Sequence, residues 1–386
     1  MNILNFVVKR IVLVFCAFFI VNSISFSQQE RNESYVNESF HSAYKPTFKS
    51  DGKNKKVKNV ILMIGDGMGF SQLSAGMYAN KNELSITNIL NMGMVKTNAA
   101  GDDFITDSAA AGTAFATGNK TKNGVIGMDE NRQPLKNMTE ILWDRNFATG
   151  IVSTDKISGA TPASFYAHQP NRNMFAEILE DLTKSKLDIF VGGSVKHIEV
   201  AKIKIAEELT KNNFTVTNNY KDIEKLTKNN RVGIIAHDDD VVAVKDGRGD
   251  FLPFSTKYAI EFLKNKKKKK GFFLMVEAAQ IDWGGHRNDT EYVVSEMLDF
   301  DKAISEALMF ADKDGETLVI ITADHETGGF GIRKVNLYKS TINGQFITLS
   351  HTPVMVPLFA YGPQSYKFRG VMQNSDVFHI IINSLK

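Results

Sequence analysis

Cysteine is almost absent from this chain: there is one, Cys16, in 386 residues. It lies inside an apolar run, preceded by Val14 and Phe15 rather than by the small residues that a lipid-anchored cysteine would follow. Disulfides and thiolate metal sites are therefore excluded from the remainder of the chain, so any metal must be held by oxygen and imidazole nitrogen. Net charge is also scarce. The formal value is +3, two units of which come from Lys9 and Arg10, and a near-neutral chain argues against nucleic-acid-specific binding. Long hydrophobic runs are missing too, since the stretch from Ile11 to Val21 falls well short of the roughly 20 residues a spanning helix needs. No internal repeat is present.

What is there begins with a basic start, that short apolar run and the small residues Ser23, Ser25 and Ser27. Residues 1–27 thus read as a cleaved secretory signal peptide, which predicts export to the periplasm or the extracellular space and no membrane attachment after cleavage. Residues 28–56 are polar, with Asn, Ser, Glu and Lys throughout and little periodicity, which predicts a mobile leader. The folded domain is expected over 57–386, where an apolar content of 43% is ample for a large core.

Val60 to Ile64 is a continuous apolar run ending in Gly65-Asp66-Gly67, and Thr317 to Ala323 ends in the same way at Asp324-His325. Gly271 to Val276 runs into Glu277, and Phe147 to Val152 is a fourth run of this kind. All four read as buried parallel strands. Helical stretches lie between them, such as Thr256 to Leu263 and Tyr292 to Phe310. Alternation of this sort predicts an α/β fold with a mostly parallel sheet, in which ligands gather beyond the carboxyl ends of the strands. Residues 186–250 differ in character, with Lys- and Asn-rich pieces between short apolar runs, and form a candidate accessory lobe. The lysine run Lys266 to Lys270 sits between a helix and a strand and reads as a solvated loop.

Polar residues at the strand ends carry the chemistry. Asp66 lies in a glycine-rich turn that permits close backbone approach to a ligand, although Gly-Asp-Gly by itself is commonly a plain loop. Ser108 precedes the alanine-rich stretch Ala109 to Ala116. That places it at the positive end of a helix, where it is either an ordinary N-cap or a hydroxyl poised beside an anion site. Glu277, Asp282 and His286 follow a strand expected to be buried, Asp324 and His325 follow another, and His351 stands before the apolar run Val354 to Tyr361. Buried ionisable groups are costly unless paired or bound to metal. Any one of these histidines alone is more simply structural. Strand-end carboxylates and three histidines together, in an exported chain that has no cysteine beyond the signal segment, point to a multi-metal centre.

At this point the sequence resembles the alkaline phosphatase family. The resemblance rests on Ile64-Gly-Asp-Gly-Met-Gly69, Thr106-Asp-Ser-Ala-Ala110 with Ala116-Thr-Gly118, Ala160-Thr-Pro-Ala163 followed by Ala167-His168 and Arg172, the block from Glu277 to His286, Thr322-Ala-Asp-His325, and His351-Thr352. It is nearest to the cold-adapted marine and Antarctic bacterial members of that family. The implied fold is a three-layer α/β/α sandwich with a mostly parallel central sheet, here without the long crown insertion of many relatives, because few residues separate His325 from His351. The implied activity is broad-specificity phosphate monoester hydrolysis by in-line displacement through a phosphoserine at Ser108, with two Zn²⁺ and one Mg²⁺ per chain. By the same resemblance Arg172 grips the phosphate oxygens, Asp282, His286 and His351 hold the first zinc, and Asp324 and His325 hold the second. Asp66 bridges from the second zinc to magnesium, whose other protein ligands are Thr161 and Glu277. Trp283 stands where many relatives carry a lysine or histidine, as a further candidate for phosphate contact. Gly159 stands where relatives carry an aspartate or histidine that orients the waters of the magnesium, so a loosely held third metal is expected. The partners implied are small-molecule phosphate monoesters, with the chain a homodimer or a monomer. Two other readings are a phosphodiesterase of the same superfamily, which would usually have a threonine nucleophile and lack Thr161 and Glu277, and a non-catalytic phosphate- or metal-binding relative, which would be expected to have lost a ligand.

Overall fold

The computed structural model describes residues 33–193, 205–236, 241–266 and 269–385. The signal call at 1–27 lies outside them. Along the chain come β1 (Ser34–Val36), β2 (Asn59–Gly65), α1 (Phe70–Ala79), β3 (Asn91–Lys96), α2 (Ser108–Thr117), α3 (Met138–Asp144), β4 (Ala148–Lys156), α4 (Ala160–Ser164), α5 (Phe175–Lys184) and β5 (Ile189–Gly193). Next are α6 (Ile205–Lys211), β6 (Phe214–Thr217), β7 (Arg231–Ile235), α7 (Phe251–Lys264), β8 (Phe272–Ala278), α8 (Gln280–His286), α9 (Thr290–Asp314) and β9 (Thr317–Thr322). The chain closes with β10 (Glu326–Thr327), β11 (Gly331–Asn336), β12 (Thr341–Gln345), β13 (His351–Thr352), β14 (Val356–Tyr361), β15 (Gly370–Gln373) and α10 (Asn374–Ser384).

Ten strands form the central sheet in the order β15-β3-β14-β9-β2-β8-β4-β5-β7-β6. Only β14 runs against its neighbours, pairing antiparallel with both β3 and β9. The apolar runs identified in the sequence are the middle of this sheet: β2, β8 and β9 are buried along their whole length. A strand buried on both faces has no polar side to alternate with, hence the unbroken runs of Val, Ile, Leu, Met and Phe. Adjacent residues of β8 show the two covered faces directly. Phe272 meets Phe310 of α9 at 5.8 Å, whereas Phe273 stacks on Phe165 just beyond α4 at 6.0 Å. Because successive strand side chains point to opposite faces, helices lie on both sides and the architecture is a three-layer sandwich. Residues 186–250, read as a candidate accessory lobe, supply β5, β7 and β6, which extend the sheet in parallel beyond β4 in that order, with β6 at the edge.

The expectation of a mobile leader is corrected from residue 33 onward; residues 28–32 lie outside the described part. β1 pairs antiparallel with β12, and buried Asn37 donates to the Ala79 carbonyl oxygen at 3.1 Å. His41 Nε2 lies 2.8 Å from Asp301 Oδ2, and Tyr44 and Thr47 donate their hydroxyls to Asp312 at 2.8 and 2.6 Å. The polar composition that resembles disorder is spent on carboxylates of α9, some 260 residues away in sequence. Periodicity cannot register such partners. Among the described residues, no helix is long and apolar enough to cross a membrane.

Candidate metal centre and active site

Two glycines bring the backbone together at the carboxyl ends of β2, β8 and β9. Gly67 has φ +75°, and a Cβ there would stand 2.6 Å from Asp282 Cα, so only glycine lets this turn press against α8. On α2, a Cβ at Gly112 would stand 2.9 Å from Ser164 Oγ, so the small-residue face of α2 sits directly on α4. Asp66 leaves β2, Glu277 is the penultimate residue of β8 and Asp324 follows β9. These neighbouring strands thereby deliver three carboxylates to one place, and all three are buried.

Ser108 is the first residue of α2 but does not cap it. Asp107 is the N-cap, its Oδ1 accepting the Ala110 N–H at 2.9 Å. Asp107 Oδ2 accepts the Gly124 N–H at 2.9 Å and Arg172 Nη1 at 3.1 Å. The serine hydroxyl is left directed at the site, 3.3 Å from His325 Nε2. Ser108, Asp107, Asn123, Arg172, His286 and His351 line one cleft of about 360 Å³.

The histidines and carboxylates form two groups. In one, His286 Nδ1 donates to the Leu349 carbonyl oxygen at 2.6 Å and His351 Nδ1 to the Thr106 carbonyl oxygen at 2.8 Å. A carbonyl can only accept, so Nδ1 of each ring carries a proton and Nε2 is the atom turned toward the site. The two Nε2 atoms face each other at 3.1 Å, with Asp282 Oδ2 and Oδ1 at 3.3 and 3.5 Å from His286 and His351. In the other group, His325 Nε2 lies 3.1 Å from Asp324 Oδ2 and 3.6 Å from Asp66 Oδ1, and neither buried oxygen has a hydrogen-bond partner. Within each group one ligand atom per residue lies within 4.8 Å of the others. Thr327 links the groups: its hydroxyl donates to Asp282 and lies 3.2 Å from His325 Nδ1. The His325 and His351 rings stack at 3.5 Å. Beside Asp66, buried Glu277 accepts a hydrogen bond from Ser153, and Thr161 Oγ1 is buried without a partner.

The donor set fits dications. Burial, with the Asp324, Asp282 and Glu277 charges adding to it, raises Asp66 well above its ordinary value. Burial pushes Glu277 up to about 8, with Asp155 next in effect, and Asp324 up to about 6, with Asp282 next. Burial likewise holds His325 well below its usual range, with the His351 charge acting the same way, so this ring offers a lone pair. The hydrogen bond to Asp282 raises His286 to about 9, so a dication bound by this group would take the place of a proton, whereas Asp66, Glu277 and Asp324, which resist ionising side by side, call for positive charge at their centre.

Residues 57–348 match the sequence profile of the alkaline phosphatases. The chain belongs to the alkaline phosphatase family. It is 32% identical to alkaline phosphatase 4 of Bacillus subtilis (strain 168), over 86% of this chain and 89% of that protein. It is 28% identical to the alkaline phosphatase of Escherichia coli (strain K12), over 84% and 85%. The solved alkaline phosphatase of the Antarctic bacterium TAB5 superposes with a TM-score of 0.81 at 40% identity, covering 86% of this chain and 99% of that one. A histidine-to-aspartate variant of the TAB5 enzyme, with a TM-score of 0.82, has magnesium bound in its M3 site. This phosphatase is thus a hydrolase of phosphoric monoesters, with an alkaline phosphatase fold and membership of a metal-dependent family.

Most of the residues singled out in the sequence converge in the phosphatase: Asp66, Asp324 and His325 in one group, Asp282, His286 and His351 in the other, Ser108 and Arg172 on the cleft. Trp283 stands half-buried on α8 beside Asp282. Sequence reasoning missed Asn123, whose Oδ1 accepts the Asp107 N–H at 2.9 Å, as well as Thr327, Ser153 and Asp155. Of these, only Thr327 carried a sequence signal, two residues beyond His325.

Proposed function

We propose that this phosphatase works through a phosphoserine on Ser108, using Zn²⁺ held by Asp282, His286 and His351, Zn²⁺ held by Asp66, Asp324 and His325, and Mg²⁺ held by Asp66, Thr161 and Glu277. The observation that carries the proposal is the convergence of three imidazole Nε2 atoms and two partnerless carboxylate oxygens beside one serine hydroxyl. Bound dications would supply Lewis acidity, lowering the pKa of a hydroxyl or water and neutralising the departing alkoxide.

The chain's own residues do the rest. Arg172, held by Asp107, offers a planar fork to two non-bridging phosphate oxygens, and the N–H groups at the start of α2 add the positive end of a helix. Ser108 Oγ attacks phosphorus, the bond to the alcohol oxygen breaks, and the alcohol departs with a proton. Water then attacks the phosphoserine from the opposite side. The Oγ–phosphorus bond breaks, Ser108 regains its proton and inorganic phosphate leaves. The alcohol contributes little to recognition, which supports broad specificity, and the character of residues 1–27 supports export to the periplasm or the extracellular space.

The test is turnover of p-nitrophenyl phosphate against the bis-ester, together with metal analysis. Turnover of the monoester well above that of the bis-ester, by protein carrying zinc and magnesium, is expected; preference for the bis-ester, or an active protein free of zinc, overturns the proposal. Arg172→Lys keeps the charge and loses the fork. Its kcat/KM is expected to fall by about 10- to 100-fold, the worth of one charge-assisted hydrogen bond, and phosphate inhibition should weaken in parallel.

A further inference from the structure

Gly159 is the N-cap of α4, two residues before Thr161, and the space its side chain would occupy is already taken. A Cβ built there would overlap Asp155 Oδ2 and stand 2.6 Å from Asp155 Cγ and 2.9 Å from the Lys156 carbonyl oxygen. Asp155 and Gly159 are four residues apart in the tight turn from β4 into α4, closed by the Gly159 N–H donating to Lys156 O at 2.8 Å. In that geometry a side chain from the first position can reach the volume of the fifth.

Asp155 also faces the group at the end of β8. Its backbone N–H donates to Ser153 Oγ at 2.8 Å, and Ser153 Oγ donates to the Glu277 carboxylate, so one hydroxyl ties the backbone at Asp155 to Glu277. Its Oδ1 accepts the Lys156 N–H at 2.7 Å, and Oδ2 lies against Gly159. The negative charge of Asp155 is felt at Glu277 and at Arg172.

We infer that Asp155 is the outer carboxylate of the third metal site, occupying the place of the side chain that position 159 lacks and accepting hydrogen bonds from the waters of a Mg²⁺ held by Asp66, Thr161 and Glu277. Magnesium keeps several waters and binds through few carboxylates, so a group that orients those waters contributes to its affinity. The loose third metal expected from Gly159 alone is thereby replaced by a retained one. The inference rests on the assignment of that site to Mg²⁺.

The test is calorimetric titration of Mg²⁺ into zinc-loaded protein, for the parent, Asp155→Ser, Asp155→Asn and the double variant Asp155→Ser/Gly159→Asp. Both single variants are expected to bind Mg²⁺ about tenfold or more weakly with zinc content unchanged, and the double variant to recover most of the loss, because the vacated space then receives a carboxylate from position 159. Single variants within about twofold of the parent, with or without a lowered melting temperature, overturn the inference and leave Asp155 a residue of the turn. So does a double variant no tighter than Asp155→Ser, which would show that the two positions do not serve one space. A parent that hydrolyses monoesters with zinc and takes up no Mg²⁺ overturns the inference while phosphoserine chemistry stands; a parent that fails to hydrolyse monoesters overturns the wider reading.

Discussion

Ser108→Ala lowers kcat/KM for phosphate monoesters by about four orders of magnitude or more, on the scale seen when a nucleophile is removed from a preorganised site, and leaves zinc content and folding intact. Both halves of this expectation follow from the start of α2. The helix is capped by Asp107, not by Ser108, and alanine is the better helix former, so the substitution removes no cap and no propensity. The hydroxyl itself has one neighbour of note, His325 Nε2 at 3.3 Å. Its loss therefore falls on chemistry. Arg172 and the helix N-terminus persist, so a residual rate above that in water is expected. Acid quench of the parent during turnover should place phosphate on the peptide bearing Ser108, and the variant should show none. A variant keeping more than about 1% of the parent rate would mean that water attacks the ester directly, and the phosphoserine would have to be abandoned.

Arg248→Met is expected to destabilise the protein by about 3–5 kcal/mol, lowering the melting temperature by roughly 4–7 °C. The Arg248 side chain is fully buried between Glu296 and Asp299 of α9, donating from Nη2 to Glu296 and, at 2.8 Å, to Asp299 Oδ2. The same Glu296 accepts the Val244 N–H at 2.9 Å, so this triad fastens residues 242–250 to the longest helix. Removing the arginine leaves two buried carboxylates without a counter-charge, which costs far more than the pair contributed. Simultaneous replacement of all three by apolar residues of similar volume should recover most of the loss, whereas a single variant within about 1 kcal/mol of the parent would show the triad to be open to water.

The deficit also has a pH signature. Burial pushes Glu296 up to about 7, with Arg248 pulling the other way, and loss of Arg248 raises it further. A carboxyl whose folded pKa lies above its unfolded value binds more protons when folded, so stability falls as pH rises between the two values. Glu296 is protonated in both folded proteins below about pH 7, so the Arg248→Met penalty should be smallest there and grow as pH rises from about 7 toward the higher value Glu296 takes in the variant. Urea titrations of parent and variant across this window would check the sign.

The strands of the sheet centre were legible because β2, β8 and β9 are covered on both faces and must be apolar throughout. Asp66, Glu277, Asp282, His286, Asp324 and His325 were legible because each follows such a run, and His351 because it precedes one, at a position where an ionisable group has no cheap structural use. Residues 33–56 were misread because their order depends on Asp301 and Asp312, far away in the chain.

By itself, the sequence determined the α/β class and the oxygen and imidazole character of any metal site. These depend on residue type and on spacing along one segment, where local geometry is nearly obligatory. Only the tertiary structure decided that Asp107 caps α2 so that Ser108 is free to face the site, that Arg248 is sealed between two acids, and that Asp155 fills the space beside Gly159. Each of those is a matter of which side chain arrives in a volume that another residue leaves open, and packing settles that among segments with no local signal in common.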